Sequence, residues 1–275
     1  MNKKNLSAFF RGFTAVLLIA VLMIAYFVIR KMNTKQSPQT TTAAETDANG
    51  AAVLTTALPA LSGRAQLLFV CMDSGQASIA LIGDFDLDQG LVSVYALPTD
   101  TRYPSDGGDA LPGDIYRSAG REALTDAVNR RCGTAIARTV VCTADNFADM
   151  TALLGEAEIT VPYAVSYADA GAVIELQAGK HSLSGAALYN YLLHGATGEA
   201  LYDLQAATAA QMLRAYISPA NVGAGESLFS KLVNAADSDI TAYDYAAYAD
   251  LLAVMAADTA LTYTGAGLAA ARSEG

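Results

Sequence analysis

Two carboxylates stand where α/β folds commonly place chemistry, just past the ends of apolar runs. Asp73 follows Leu67-Leu68-Phe69-Val70-Cys71, and Asp100 follows Leu91-Val92-Ser93-Val94-Tyr95-Ala96-Leu97. Paired acids at strand ends can serve as general acid, general base or metal ligand. The same residues are also ordinary turn formers, because an Asp side chain bonds its own backbone. Arg102, two residues past Asp100, is the nearest cation, and by itself reads as a solvated loop charge. The chain's histidines, His181 and His194, have no spacing that suggests a catalytic pair. His194 closes a helical stretch, where a solvated or satisfied ring is the ordinary reading. Tyr243, Tyr245 and Tyr248 read as packing residues.

The elements that must carry these acids are short. Leu67–Cys71, Ser78–Ile82 and Leu91–Leu97 are rich in branched and aromatic residues and bounded by Gly, Asp, Ser or Pro. That pattern predicts buried strands. Asp84 to Gly90 carries turn chemistry, so the second and third strands should form an antiparallel hairpin. Thr101–Gly113 is a polar loop, and Asp114–Arg131 a helix ended by Cys132-Gly133. Arg138–Cys142 is a strand. Asp145 or Asn146 should cap a helix with the stripe Phe147, Met150, Leu153, Leu154. Strands at Glu158–Tyr163 and Ala172–Leu176 follow. Then come a helix capped by Ser184 and running to about His194, a longer one over Gly198–Ile217, and two more near Ser227–Asn234 and Ala242–Ala257. The order predicts an α/β fold, a three-layer-like mixed-sheet sandwich with flanking helices.

Gly12–Ile29 contains no charge and is followed by Arg30-Lys31-Met32 rather than a cleavage site. As a helix it would rise roughly 27 Å, close to a bilayer core of about 30 Å. It reads as an uncleaved signal anchor. Three basic residues precede it (Lys3, Lys4, Arg11) and three follow (Arg30, Lys31, Lys35), so the positive-inside rule is silent on orientation. The usual single-span arrangement puts the large domain outside. The expected organisation is a cytoplasmic tail at 1–11, the span at 12–29, a flexible linker of Gln, Thr, Ser, Pro, Ala and Asn with few large apolar groups at 30–65, a folded extracytoplasmic domain at 66–257 and a loosely ordered tail at 258–275.

Charge is sharply partitioned. Six of the 17 basic residues and none of the 27 acidic ones lie at or before Lys35, leaving 11 against 27, a net of −16. Such a surface repels phosphate backbones and anionic headgroups, which excludes nucleic acid as a partner. Cys71 and Cys142 fall in strand-like runs and read as small buried hydrophobes; an oxidising compartment would permit a Cys132–Cys142 disulfide.

Taken in order, the pieces resemble the LytR-CpsA-Psr family of cell-envelope proteins over roughly Leu67 to Ala257. Leu68-Phe69-Val70-Cys71-Met72-Asp73 is similar to its opening strand and aspartate, and Val92 to Thr101 to the strand ending in Pro-Arg-Asp-Thr. Asn146-Phe147 to Gly155, then Ile159-Thr160-Val161-Pro162, is similar to its Asn-Phe helix and Val-Pro strand. Leu176 to Leu188 is similar to its Gly-x-x-x-Leu-x-Gly segment. The resemblance implies an anchored extracytoplasmic protein that holds a polyprenyl-phosphate carrier in an apolar groove and transfers its glycopolymer to the cell wall, assisted by Mg2+. Asp73 would be the metal ligand, and Asp73 and Asp100 the catalytic acids, with Arg102 a partial substitute for lost arginines.

The family's arginines are missing. Thr99 replaces the one in Pro-Arg-Asp-Thr, Ser78 stands at the second aspartate, Tyr191-Leu192-Leu193-His194-Gly195 replaces Tyr-Val-Arg-x-Arg, and Leu201-Tyr202-Asp203-Leu204-Gln205 replaces Arg-x-x-Arg-Gln. Gln205 survives, and Leu193, Leu201, Leu204 and His194 would line the ligand site in place of cations. A diphosphate transition state needs such bidentate donors. The expectation is therefore a catalytically degenerate binding or scaffolding protein. The alternatives are a divergent active phosphotransferase, and an envelope interaction module without a lipid ligand.

Overall fold

The computed structural model describes strands 43–46 and 52–55 and residues 63–169, 172–258 and 260–268. The expected tail 1–11, the span 12–29 and much of the linker lie outside the described residues. Among the described residues, no helix is long and apolar enough to cross a membrane.

In chain order the elements are β1 (Ala43–Thr46), β2 (Ala52–Thr55), β3 (Arg64–Asp73), β4 (Gln76–Asp86), β5 (Leu91–Ala96), α1 (Pro112–Cys132), β6 (Ile136–Thr143), α2 (Ala144–Leu154), β7 (Ala157–Val161), β8 (Val165–Asp169), β9 (Ala172–Leu176), β10 (Gly179–Leu183), α3 (Gly185–His194), α4 (Glu199–Tyr216), α5 (Pro219–Gly223), α6 (Gly225–Val233), β11 (Asp237–Ser238), α7 (Ala242–Ala257) and β12 (Thr262–Gly267). The β1–β2 pairing places local structure inside the expected linker.

The main sheet runs β11-β6-β3-β4-β5-β12 and is mixed. β3 pairs antiparallel with β4 and parallel with β6, and β5 pairs antiparallel with β4 and parallel with β12. Alternate residues of the central strands feed two cores. Leu67, Phe69 and Cys71 of β3 face α2, α3, α4, α6 and α7, while Leu68, Val70 and Met72 face α1. Because helices cover both faces, these strands read as unbroken apolar runs rather than alternating ones. The mixed α/β architecture, a mixed sheet with flanking helices, agrees with the expectation.

Several boundaries differ. β4 continues through Asp84 and Phe85, both buried, so the turn after it is shorter than the Asp-rich stretch suggested. Asp84 is tolerated there because Arg64 reaches both its oxygens, Nε to Oδ1 at 2.9 Å and Nη2 to Oδ2 at 2.6 Å, and Gln66 Nε2 adds a bond at 3.0 Å. That contact holds the Arg64 guanidinium more firmly protonated than usual, through the hydrogen bond to Asp84 first and its charge second. Thr143, not Asp145 or Asn146, caps α2, its hydroxyl accepting from the Asn146 N–H at 3.2 Å. Ser184 stands at the start of α3 without capping it; Thr151 of α2 instead accepts from the Gly185 N–H at 3.0 Å.

The expected loose tail is the largest correction. Thr262–Gly267 forms β12, a strand of the main sheet packed beneath α4. The geometry does not support a Cys132–Cys142 bond, because the two side chains lie on opposite faces of the sheet. Cys142 points into the core under α2–α4, whereas Cys132 packs with the α1 core on the other face of the sheet.

Candidate functional site

β3, β5, β6 and β12 all run the same way, so their C-terminal ends share one end of the sheet. Asp73 and Asp100 both lie there, but they line different pockets. Asp73 lines a cavity of about 360 Å³ with Met72, Ser74 and Gly75, Tyr116 and Arg117 of α1, and Thr143, Ala144 and Asp145. Asp100 lines one of about 690 Å³ with Ala96, Pro98 and Thr101, Gly198 to Asp203 in part, and Gly267 and Leu268 after β12.

Asp73 leads into a two-residue hairpin turn. Ser74 (φ 49°) and Gly75 (φ 82°) both adopt left-handed backbone, the requirement of a tight β3–β4 connection. Its carboxylate is met by the Ser74 hydroxyl at 3.1 Å and by the Tyr189 hydroxyl of α3 at 3.3 Å. Tyr189 also lies 3.1 Å from Ser78, which donates to the Cys71 carbonyl. Position 78 therefore does sit beside Asp73, bridged to it by a tyrosine. Burial pushes the Tyr189 phenol well up. At Asp100 the arrangement repeats: Tyr202 of α4 donates to Asp100 Oδ1 at 2.9 Å. Burial first, and this bond second, push Tyr202 up to about 12. Both acids are thus held by neutral phenols.

Among the described residues one cation, Arg117, lines the Asp73 cavity and none lines the Asp100 cavity. Arg102 is part of neither pocket lining and donates to the Asp109 carbonyl at 2.9 Å. Arg117 is tied to Asp114 at 2.5 Å. Further described arginines pair as Arg64–Asp84, Arg121–Asp237 and Arg130–Asp106. The Asp100 pocket carries two more acids, Glu199 and Asp203, the latter accepting from the Gly267 N–H at 2.7 Å. Among the described residues no group of three or more His, Cys, Asp or Glu is placed to hold a metal ion. Asp73 and Asp145 share a pocket, and a pair of carboxylates is what Mg2+ ordinarily takes from a protein, its other ligands being water and substrate phosphate.

A small apolar space lies between the sheet and α4. A cavity of about 30 Å³ remains among Leu67, Phe69, Leu81, Phe85, Val94, Val140, Ala209 and Leu213. Phe85 fills much of the space, its ring lying where a side chain on Gly83 would project, at 2.8 Å from such a Cβ. That volume is about one water's share of liquid.

Comparison with known proteins decides the fold. No family model matches the chain, and no curated protein matches it. Solved structures do. A putative transcription regulator from Eubacterium siraeum superposes with a TM-score of 0.64 at 14% identity, over 84% of this chain and 88% of that one. TagV of B. subtilis superposes with a TM-score of 0.59 at 16% identity, over 73% of this chain and 83% of that one. TagT bound to LI-WTA gives 0.52 at 14% identity, over 74% and 77%. The chain has the LytR-CpsA-Psr fold.

On that fold, the residues named from the sequence divide. Leu201 lines the Asp100 pocket. Leu204 is buried in the core, with Leu193 half-buried against it. Gln205 is 1% exposed and donates through Nε2 to the Leu192 carbonyl at 3.0 Å, tying α4 to α3. His194 stacks flat on Tyr167, ring centroids 3.9 Å apart and planes 5° from parallel. Tyr245 stacks on Phe229 at 4.7 Å. Sequence reasoning missed Tyr116, Arg117, Tyr189 and Tyr202, the residues that accompany the two acids. Their only signal is position, Arg117 three residues after Asp114 on a helix and Tyr202 inside the segment that lost its arginines.

Proposed function

We propose that this chain is a membrane-anchored, extracytoplasmic LytR-CpsA-Psr-fold protein that binds or scaffolds in cell-wall glycopolymer metabolism and has lost phosphotransfer. Segment 12–29 supplies the anchor. One observation carries the reading: the pocket acids are met by the hydroxyls of Ser74, Tyr189 and Tyr202 where the family resemblance calls for guanidinium groups. A phenol donates one hydrogen bond and no charge. Each missing oxyanion-type donor costs roughly 2.7–4 kcal/mol of transition-state stabilisation, so losing several removes useful turnover. Glu199 and Asp203 beside Asp100 further oppose a diphosphate. Without that chemistry, the pockets are surfaces for holding a polymer.

The test is turnover by the full chain in detergent, given a polyprenyl-diphosphate-linked glycopolymer, peptidoglycan acceptor and Mg2+. No transfer and no diphosphate hydrolysis is expected, together with measurable retention of the polymer. Robust turnover that disappears in Asp100→Ala overturns the reading. Membrane attachment and sidedness are checked separately by protease accessibility of the domain in intact cells.

The small volume of the sheet–α4 cavity favours a second reading, an envelope interaction module without a lipid ligand. A cavity of about 30 Å³ admits no polyprenyl tail until Phe85 and its neighbours repack. Mass spectrometry of co-purifying lipid separates the two: stoichiometric polyprenyl lipid supports a retained tail site, and its absence supports the interaction module.

A further inference from the structure

Cys71 and Cys142 face each other across the β3–β6 junction. They are direct partners in a parallel ladder, on the same face of the sheet, 0% and 3% exposed. Neighbouring strands lie about 4.8 Å apart, inside the roughly 4.4–6.8 Å between α-carbons that a disulfide spans. A disulfide also needs β-carbons within about 4.5 Å, closer than an undistorted parallel pair, so one strand must shift slightly. β3 has that freedom at this point, because its pairing with β4 is irregular between Cys71 and Met72. One residue past each cysteine begins the wall of the Asp73 cavity, with Met72 and Asp73 on one side and Thr143 to Asp145 on the other.

We infer that Cys71 and Cys142 are a disulfide-forming pair that covalently joins β3 to β6 beneath the Asp73 pocket when the chain folds in an oxidising compartment. Each thiol gives up a proton and the pair gives up two electrons. A small disulfide such as oxidised glutathione accepts them and leaves as two thiols. The bond forms during folding, since in the finished domain both sulfurs are shielded from exchange. Cys132, on the opposite side of the sheet, stays a thiol. In the cell the oxidant depends on the extracytoplasmic placement proposed above; the chemistry of the pair does not, and the test supplies the oxidant itself.

The full chain in detergent is unfolded with reductant and refolded in a glutathione redox buffer. It is then denatured, alkylated and weighed. Loss of two of the three alkylations is expected, with a cross-linked peptide joining residues 71 and 142 and recovery of all three alkylations after reduction. Cys132→Ser should keep the bond and alkylate nowhere until reduced, and Cys71→Ser should leave Cys142 alkylated. Three alkylations in the refolded wild-type chain, a bond to Cys132, or glutathione adducts in place of the cross-link would overturn the inference. These readouts do not depend on glycopolymer binding, so failure here and failure of the functional reading are separable.

Discussion

Replacing Gly265 by Ala tests the feature that most reshapes the expected domain, the strand at its C-terminal side. β12 runs directly under α4, and a β-carbon at position 265 would lie 2.2 Å from the Ala206 carbonyl oxygen, 2.3 Å from its carbon and 2.5 Å from the Ala207 nitrogen. Ordinary contact begins near 3.4 Å. The obstacle is backbone on both sides, with no rotamer to yield, so strand and helix must part by about 1 Å or the strand must leave the sheet. Overpacking typically costs about 1–3 kcal/mol, and rigid surroundings put this site near 3. With a urea slope of about 3 kcal/mol per molar for a domain of this size, the midpoint should fall by roughly 1 M. Gly267→Ala is the internal control. Its β-carbon would meet a movable side chain, Asp203 Oδ1 at 2.8 Å, so a loss of about 1 kcal/mol is expected. Should Gly265→Ala shift the midpoint by less than about 0.3 M, β12 is not packed under α4 and the reasoning fails.

Three further outcomes follow from particular contacts. Tyr116, Tyr191, Tyr202 and Tyr263 are each pushed from 10 up to about 12, burial being the largest cause in every case. A pKa raised in the fold gives stability that is whole below pH 10 and lost as pH climbs through 12. Circular dichroism and tyrosinate absorbance should therefore change together in that window; ionisation near pH 10 with the fold intact contradicts it. Asp84→Ala strips the two bonds from Arg64 and one from Gln66, yet the Arg64 side chain is 60% exposed and can rehydrate. A loss of about 1.5 kcal/mol is expected, a melting point lower by some 3–6 °C, and no change would mean the buried carboxylate is not held by these donors. Thr143→Ala removes the cap of α2 and should cost about 1 kcal/mol in chemical denaturation, with Thr143→Ser restoring it; equal stability of all three would contradict the cap.

Much of the sheet was legible because its strands carry their burial in their own residues. Leu67–Cys71, Ser78–Ile82 and Leu91–Leu97 are apolar on both faces, and helices do cover both. The hairpin from β4 to β5 followed from turn chemistry, and Phe147, Met150 and Leu154 of the α2 stripe from its period, whereas Leu153 of that stripe is exposed. What could not be read was anything decided by a neighbour distant in sequence. Thr262-Tyr263-Thr264-Gly265-Ala266-Gly267 looks like loose chain by composition, since glycine weakens an isolated strand. It becomes a strand by pairing in parallel with β5, and at position 265 α4 approaches so closely that only glycine fits.

The candidate site divides along the same line. The residue types at positions 73 and 100, and the absence of arginine from the segments that should supply it, belong to the sequence alone. Which groups meet those acids does not. Tyr189 and Tyr202 sit on helices whose local pattern says only that they are helical, and their hydroxyls reach Asp73 and Asp100 because α3 and α4 are docked over the ends of β3 and β5. Periodicity reports what a segment buries; which polar atoms then lie within 3 Å of one another is set by how the segments pack.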